Sequence, residues 1–336
     1  MNTCQIDRKI PKSSIKLPQR LLLSRGRRGP REEQTTFGDT LDKWKEQKAT
    51  ILRRSTYSTY CGIVENHLRP ALGELALDAL GDTEVAAYMS LVGGDSSQLS
   101  CSTAKGIANV LRSVLEYAEG DGCSARPSAC VCAKKSPRAE ISVLTDFEQE
   151  RLLAYLGPRP SGTNLGILIC LKTGLRVGEI CALRWEDISF TAGLLTVRST
   201  VQRIRADEKS GLKTQLYFGD PKSASSKRSI PLSSSLLSVL EQRRCDGQSF
   251  LLSGSPDKAV EPRSMQRHFK NVLRRAGIRD MNFHVLRHTF ATKCVDMGFD
   301  VKSLSMLLGH SSVSTTMNTY VHPSLERIRS MMSMLD

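Results

Sequence analysis

Hydrophobic positions recur at intervals of three and four through most of the chain, and the elements end where that rhythm stops. Leu41 and Trp44 begin one amphipathic segment, and Tyr57, Tyr60, Ile63 and Val64 mark a second. Val85, Tyr88 and Met89 mark a third, and Ile107, Val110, Leu111, Val114, Leu115 and Ala118 a fourth. Pro70 and Gly73 separate the second from the third; Gly93, Gly94 and Asp95 precede the fourth. The pattern predicts a helical bundle over residues 36–120.

Residues 121–141 lose the period and carry Pro127, Pro137, Lys134, Lys135 and Arg138, which predicts a basic interdomain linker. From residue 142 a second domain is expected. Thr145 and Glu148 form a capping box ahead of Leu152, Leu153 and Leu156. Another helix, Leu165 to Lys172, stops at Thr173 and Gly174. LLTVRSTV (Leu194 to Val201), QLYFGD (Gln215 to Asp220) and the SIPL that follows have the β-rich composition of three strands, and helices return from Ser233. Residues 1–35, with SRGRRGPREE, have no period and are expected to be a flexible basic arm. Leu325, Ile328, Met332 and Leu335 give residues 323–336 the spacing of an amphipathic tail helix. The fold class is multidomain and mainly α, with a small sheet in the second domain.

Composition narrows the function. The 336 residues carry a formal net charge of +14, and the sequence pI is near 9.5. A polyanionic partner follows, and nucleic acid fits better than a membrane surface, because no basic amphipathic helix with aromatic anchors appears. No apolar run approaches the roughly 20 residues that span a bilayer, so a cytoplasmic protein is expected. Ten cysteines form no CxxC pair, which indicates reduced thiols and no metal site. The cluster Cys123, Cys130 and Cys132 lacks a neighbouring histidine and has no assigned role.

Four stretches are chemically loaded. In TGLRVGEI, Arg176 and Glu179 share a helix face, either as a structural ion pair or as a cation held ready for a ligand. DPKSASSKRSIPL puts Lys222 on a hairpin tip. In FHVLRHTFAT, His284 and Arg287 are three apart and face one way, while His288 points elsewhere. LLGH ends at His310, and Tyr320 follows a polar run that offers it no apolar stripe. If these stretches converge on a phosphate, Arg176 and Arg287 can clamp its non-bridging oxygens, with His310 as a further donor. Tyr320 is then a nucleophile, His284 a possible base and Lys222 a general acid for the departing alkoxide. A phosphotyrosine ester conserves the energy of the phosphodiester it replaces, which suits cutting and rejoining. No carboxylate cluster suited to paired metals accompanies these motifs, so neither metal nor other cofactor is expected.

The ordered set TGLRVGEI, PKSASSKRSIPL, HVLRHTFAT, LLGHSS and TYVH resembles the tyrosine recombinases, in particular phage and conjugative-transposon integrases. The resemblance is strong over Leu144 to His322, and Thr36 to Leu77 resembles the start of that family's core-binding domain. It implies a SAM-like helical domain and a catalytic domain over residues 142–322, closing as a clamp on duplex DNA. It implies Arg176, Lys222, His284, Arg287 and His310 as the active-site set, Tyr320 as nucleophile and Glu179 as support for the first arginine. It further implies a homo-tetramer exchanging strands through a Holliday junction, with a directionality factor and a DNA-bending protein as possible partners. The long hairpin RIRADEKSGLKT resembles a transposon-type insertion; Arg203, Arg205 and Lys213 there, with Lys134 and Lys135 in the linker, are candidate DNA contacts. The tail helix is expected to dock on a neighbouring protomer. Two rivals share parts of this pattern: a type IB topoisomerase, and a non-catalytic regulator using Val301 to Tyr320 as a helix-turn-helix.

Overall fold

Thr36 starts the first helix by a reciprocal cap: its hydroxyl accepts from the Asp39 amide at 3.1 Å, and the Asp39 carboxylate accepts from the Thr36 amide at 2.9 Å. A computed structural model of the chain describes residues 35–94, 97, 99–120, 141–206, 211–220, 227–321, 329, 332 and 333. It divides into two compact units, Met1–Ala139 and Glu140–Asp336. The basic arm, the linker with Lys134, Lys135 and the three clustered cysteines, the hairpin tip with Lys222, and nearly all of the tail lie outside the described residues.

Among its described residues the first unit is mainly helical. It contains α1 (Phe37–Ile51), α2 (Arg54–Ile63), α3 (Arg69–Leu72), α4 (Asp82–Gly93) and α5 (Cys101–Gly120). The second segment ends at Gly73, which caps α3 and separates it from α4 as the sequence suggests. The chain runs from α2 into α3 through a π-helical turn, Val64–Leu68, where the Arg69 amide reaches back to the Val64 carbonyl. Pro70 has no amide hydrogen for the carbonyl four residues back, and widening the turn accommodates that loss. Phe37, Leu41, Trp44, Leu68, Tyr88, Ile107 and Leu111 are fully buried at the centre. The two polar atoms brought in with them are satisfied: Tyr88 donates to the His67 carbonyl at 3.0 Å and the Trp44 indole to Ser113 at 3.3 Å.

The second unit begins with α6 (Asp146–Leu156), capped by Thr145 and Glu148 as predicted, then α7 (Gly162–Thr173) and α8 (Val177–Ala182). Five short strands follow: β1 (Ile188–Ser189), β2 (Leu194–Val197), β3 (Thr200–Arg205), β4 (Thr214–Gly219) and β5 (Arg228–Pro231). LLTVRSTV is therefore two strands rather than one. The chain leaves the antiparallel β1-β2-β5 sheet after Val197 and enters the separate β3-β4 hairpin at Thr200. Helices α9 (Ser234–Glu241), α10 (Pro262–Arg275), α11 (Val285–Asp296), α12 (Val301–Leu308) and α13 (Val313–Tyr320) complete it. The helix-turn-helix look of Val301 to Tyr320 is α12 and α13, which fold against α11 around Ala291, Cys294, Val295, Leu304 and Leu308. Among the described residues no helix is long and apolar enough to cross a membrane.

One buried ion pair ties α8 to β5. The Glu179 side chain is 4% exposed, and both its oxygens accept from Arg228, each at 3.0 Å; the Arg228 side chain is 6% exposed. Burial alone would raise the Glu179 pKa, but hydrogen bonds and charge from Arg228, then the charge of Arg176, outweigh it and hold the carboxyl below 4.5.

Two stability predictions follow from this packing. Leu111→Ala removes a fully buried side chain and is expected to cost about 2–5 kcal/mol, read as an earlier transition of the helical unit in urea followed by circular dichroism. Glu179→Gln leaves buried guanidinium charge uncompensated and should cost about 3–5 kcal/mol at neutral pH. Because the carboxyl pKa is depressed by folding, its stabilisation is complete above the unfolded value and lost as pH falls through the folded one. The gap in melting temperature between wild type and Glu179→Gln should therefore begin to narrow as pH falls through the ordinary carboxylate range and close only below the depressed folded value.

Candidate active site

The end of α7 and the start of α8 build the first cationic position. Gly174 caps α7 in the left-handed conformation, φ 67°, and a methyl group there would lie 2.6 Å from the Phe290 ring. Arg176 is the residue just before α8, and Glu179 in the first turn reaches back to accept from its amide at 2.9 Å. The other Glu179 oxygen accepts from Arg176 Nη1 at 2.8 Å, and Arg176 Nη2 donates to the Gly309 carbonyl at 3.1 Å. The guanidinium is thus aimed while keeping 36% of its side chain exposed.

Arg228 is the residue that sequence reasoning missed. It sits in the same basic stretch as Lys222 but on β5, where it grips Glu179 and donates Nε to the Leu307 carbonyl at 2.6 Å. Its guanidinium fills the space over Gly309, where a Cβ would lie 2.9 Å from Arg228 Nη1 at a backbone φ of 65°. The available signal was the alternation of RSIPL, which points Arg228 and Ile230 to one face of a strand.

Arg287 is the deepest charge. On α11 and 1% exposed, it donates Nη1 to the Gly174 carbonyl at 2.9 Å and Nη2 to the Leu308 carbonyl at 2.7 Å. Nη2 also lies 2.8 Å from His310 Nε2. Its Nε–H finds no acceptor among the described residues. Burial, then repulsion from Arg176, pulls its pKa down to about 9, which leaves it charged at neutral pH.

The histidines divide the remaining work. Arginine can only donate, so His310 Nε2 must accept from Arg287, and its Nδ1–H then donates to Thr316 Oγ1 at 2.7 Å. Burial followed by Arg287 and Arg176 pushes His310 down to about 4, consistent with that neutral form. In this arrangement His310 orients Arg287 and presents no free donor to a phosphate, unlike the role expected from its motif. His284 opens α11 with a solvent-facing edge; packing, then the charges of His288 and Arg287, hold its pKa well below the ordinary value.

His288 does not point away. Its ring meets that of His284 edge to face, with centroids 4.5 Å apart, and its Nδ1 lies 2.9 Å from the Tyr320 hydroxyl. His284 has helical dihedrals, and positions four apart lie one turn apart on the same face, so His288 stacks over it. Tyr320 is 7% exposed and does have apolar neighbours, supplied by α11 and α12 rather than by its own helix. The His310 ring lies parallel to it with centroids 6.5 Å apart. Burial raises the phenol pKa, opposed by Arg287 and then Arg176.

Arg176, Glu179, His284, Arg287, His310 and Tyr320 therefore share one locality, joined by Arg228 and His288. The hairpin candidates lie apart. Arg203 is engaged by Glu261 at 2.5 Å and Thr214 Oγ1 at 2.9 Å, while Arg205 and Lys213 are exposed. Among the described residues no group of His, Cys, Asp and Glu is arranged to hold a metal ion.

Comparison with known proteins now bears on this site. Residues 142–327 match the model of the phage integrase family, and residues 36–88 that of the phage integrase N-terminal SAM-like domain. A tyrosine recombinase XerC-like protein of Caldanaerobacter subterraneus is 28% identical over 321 residues, covering 86% of this chain and 80% of that protein. In fold, the chain is similar to the Tn1549 transposon integrase in complex with a circular intermediate DNA, with a TM-score of 0.68 at 20% identity over 90% of this chain and 99% of that one. It is also similar to lambda integrase in a tetramer bound to a Holliday junction, with a TM-score of 0.63 at 18% identity, covering 88% of this chain and 80% of that one. With more than half of its length matched by the family model, and with an arginine, histidine and tyrosine cluster in that half, the chain belongs to the phage integrase family.

Proposed function

We propose that this protein is a site-specific DNA recombinase that breaks and rejoins duplex DNA through Tyr320. The observation that carries the reading is a tyrosine hydroxyl enclosed with a buried arginine that has no carboxylate partner and a spare N–H. The Tyr320 oxygen attacks phosphorus, the bond to the 5′ oxygen breaks, and the products are a 3′-phosphotyrosyl ester and a 5′ hydroxyl. Arg176 and Arg287 bear the charge that develops on the non-bridging oxygens, and Lys222 supplies the proton for the leaving oxygen. Attack by a 5′ hydroxyl on the ester reverses the step without ATP, because one phosphodiester-like bond replaces another.

The relatives support an assembly as well. The chain acts as four copies on two duplexes, exchanging strands through a Holliday junction, with a directionality factor and a bending protein setting its outcome. Its substrate places it in the bacterial cytoplasm, at the nucleoid. Arg205 and Lys213, exposed on the long hairpin, are the proposed contacts to the DNA backbone, with Lys134 and Lys135 as further candidates.

Incubation with labelled duplexes spanning the ends of the mobile element that carries the coding sequence, followed by a denaturing gel, tests the reading. Wild type should give a slow covalent band that Tyr320→Phe lacks; an adduct that survives that change contradicts it. Arg176→Lys keeps the charge but loses the two-pronged donor, and is expected to slow single-turnover adduct formation about 10²–10³-fold.

A further inference from the structure

We propose that His288 is the side chain that takes the proton from Tyr320 as the tyrosine attacks, a role that rests on Tyr320 being the nucleophile. The geometry is direct: His288 Nδ1 is 2.9 Å from the Tyr320 hydroxyl, while His284 touches the edge of the His288 ring and makes no hydrogen bond to the phenol. His284 therefore lies one ring removed from the reacting oxygen.

The direction of the hydrogen bond follows from what surrounds the oxygen. Tyr320 is 7% exposed within an apolar cluster, so water has little access to its proton. Arg287, whose charge acts on the phenol, can only donate. The hydroxyl hydrogen thus needs an acceptor, and among the described residues His288 Nδ1 is the atom placed to be one. If Nδ1 carried the proton instead, the hydroxyl would be buried with nothing to donate to. The imidazole is then the Nε2–H tautomer with Nδ1 bare.

The surroundings keep that ring ready to accept. The groups around the pair are His284, Arg287 and Cys294 from α11, Arg176 and Glu179 at the start of α8, Arg228 from β5, and His310 ahead of α13. Burial and then Arg287 hold His288 below its ordinary value of 6.5, so it is neutral at neutral pH. Burial raises Tyr320 above 10, so few phenolates form unaided. In the step, the Tyr320 oxygen bonds to phosphorus as its proton passes to His288 Nδ1, giving an imidazolium. The electron pair of the broken bond goes to the 5′ oxygen, which takes a proton from Lys222. Resealing runs both transfers backwards, and no other reactant is needed.

His288→Asn separates taking the proton from merely anchoring the phenol, since the amide oxygen can accept a hydrogen bond where Nδ1 stood but cannot hold a proton. Single-turnover adduct formation is measured on the element-end duplexes, with either a normal or a 5′-bridging phosphorothiolate linkage, whose sulfur leaves without a proton. At neutral pH His288→Asn is expected to be about 10²–10⁴-fold slower on both substrates, whereas Lys222→Ala should be slow only on the oxygen linkage. The wild-type rate should rise with pH through the titration of His288, which lies below the ordinary imidazole value, and then level off. The variant rate should go on rising about tenfold per unit towards ionisation of the phenol itself.

A His288→Asn rate equal to wild type, recovery on the sulfur linkage, or an unchanged pH profile would each overturn the proposal while leaving Tyr320 as nucleophile. Absence of a Tyr320-dependent adduct from wild type on either substrate would overturn the nucleophile and, with it, the role of His288. Nitrogen-15 NMR of His288 in the wild-type protein gives a test independent of how the variant folds: a bare Nδ1 supports the role, and a protonated Nδ1 excludes it.

Discussion

The second unit is organised around a cation that has no anion. Arg287 is almost wholly enclosed, and its hydrogen-bond partners are carbonyl oxygens and an imidazole rather than a carboxylate. A lone buried charge is costly, and the fold reduces that cost by bringing two helix ends to it. Gly174 closes α7 and Leu308 is the last residue of α12, so both acceptors lie at the negative end of a helix dipole. The arrangement requires both helices to stop where they do, which is why left-handed glycines follow at 174 and 309.

Around that centre the charges are unequal. Arg176, Arg228 and Arg287 face one carboxylate, Glu179, which is engaged by Arg228 on one side and Arg176 on the other. The three histidines add no charge at neutral pH, because burial and the neighbouring arginines depress each of them. Permanent charge and proton movement are thereby assigned to different side chains. The arginines make the site attractive to a phosphate at any pH near neutrality, while a neutral imidazole against the phenol stays free to accept a proton.

Much of this was legible in the chain and some was not, for reasons that can be named. The caps at Thr36 and Thr145, the glycine stop at 174 and the apolar faces of α1 and α5 are local signals, and local physics reproduces them. Arg228 was hidden because nothing in SSKRSIPL reveals that β5 lies beside β2 with α8 and α12 packed over it. His288 was read as facing outward although positions four apart share a helix face just as positions three apart do, so its place over His284 was legible and overlooked. Tyr320 looked unsupported because its apolar neighbours come from other helices. The stop at Gly73 was legible, but the π turn ahead of Pro70, which absorbs the missing amide hydrogen, was not. Apart from His288, a contact distant in sequence, or a change of helical register, decided the outcome.

The account turns on whether the buried arginine waits for a phosphate. The most direct measurement is a crystal structure of the Tyr320→Phe protein on an element-end duplex, read at the phosphate nearest residue 320. The account predicts that the non-bridging oxygens of this phosphate accept from Arg176 and Arg287, with the Arg287 Nε–H among the donors. A phosphate held elsewhere, with Arg287 still closed off by the carbonyls of Gly174 and Leu308 alone, would contradict it.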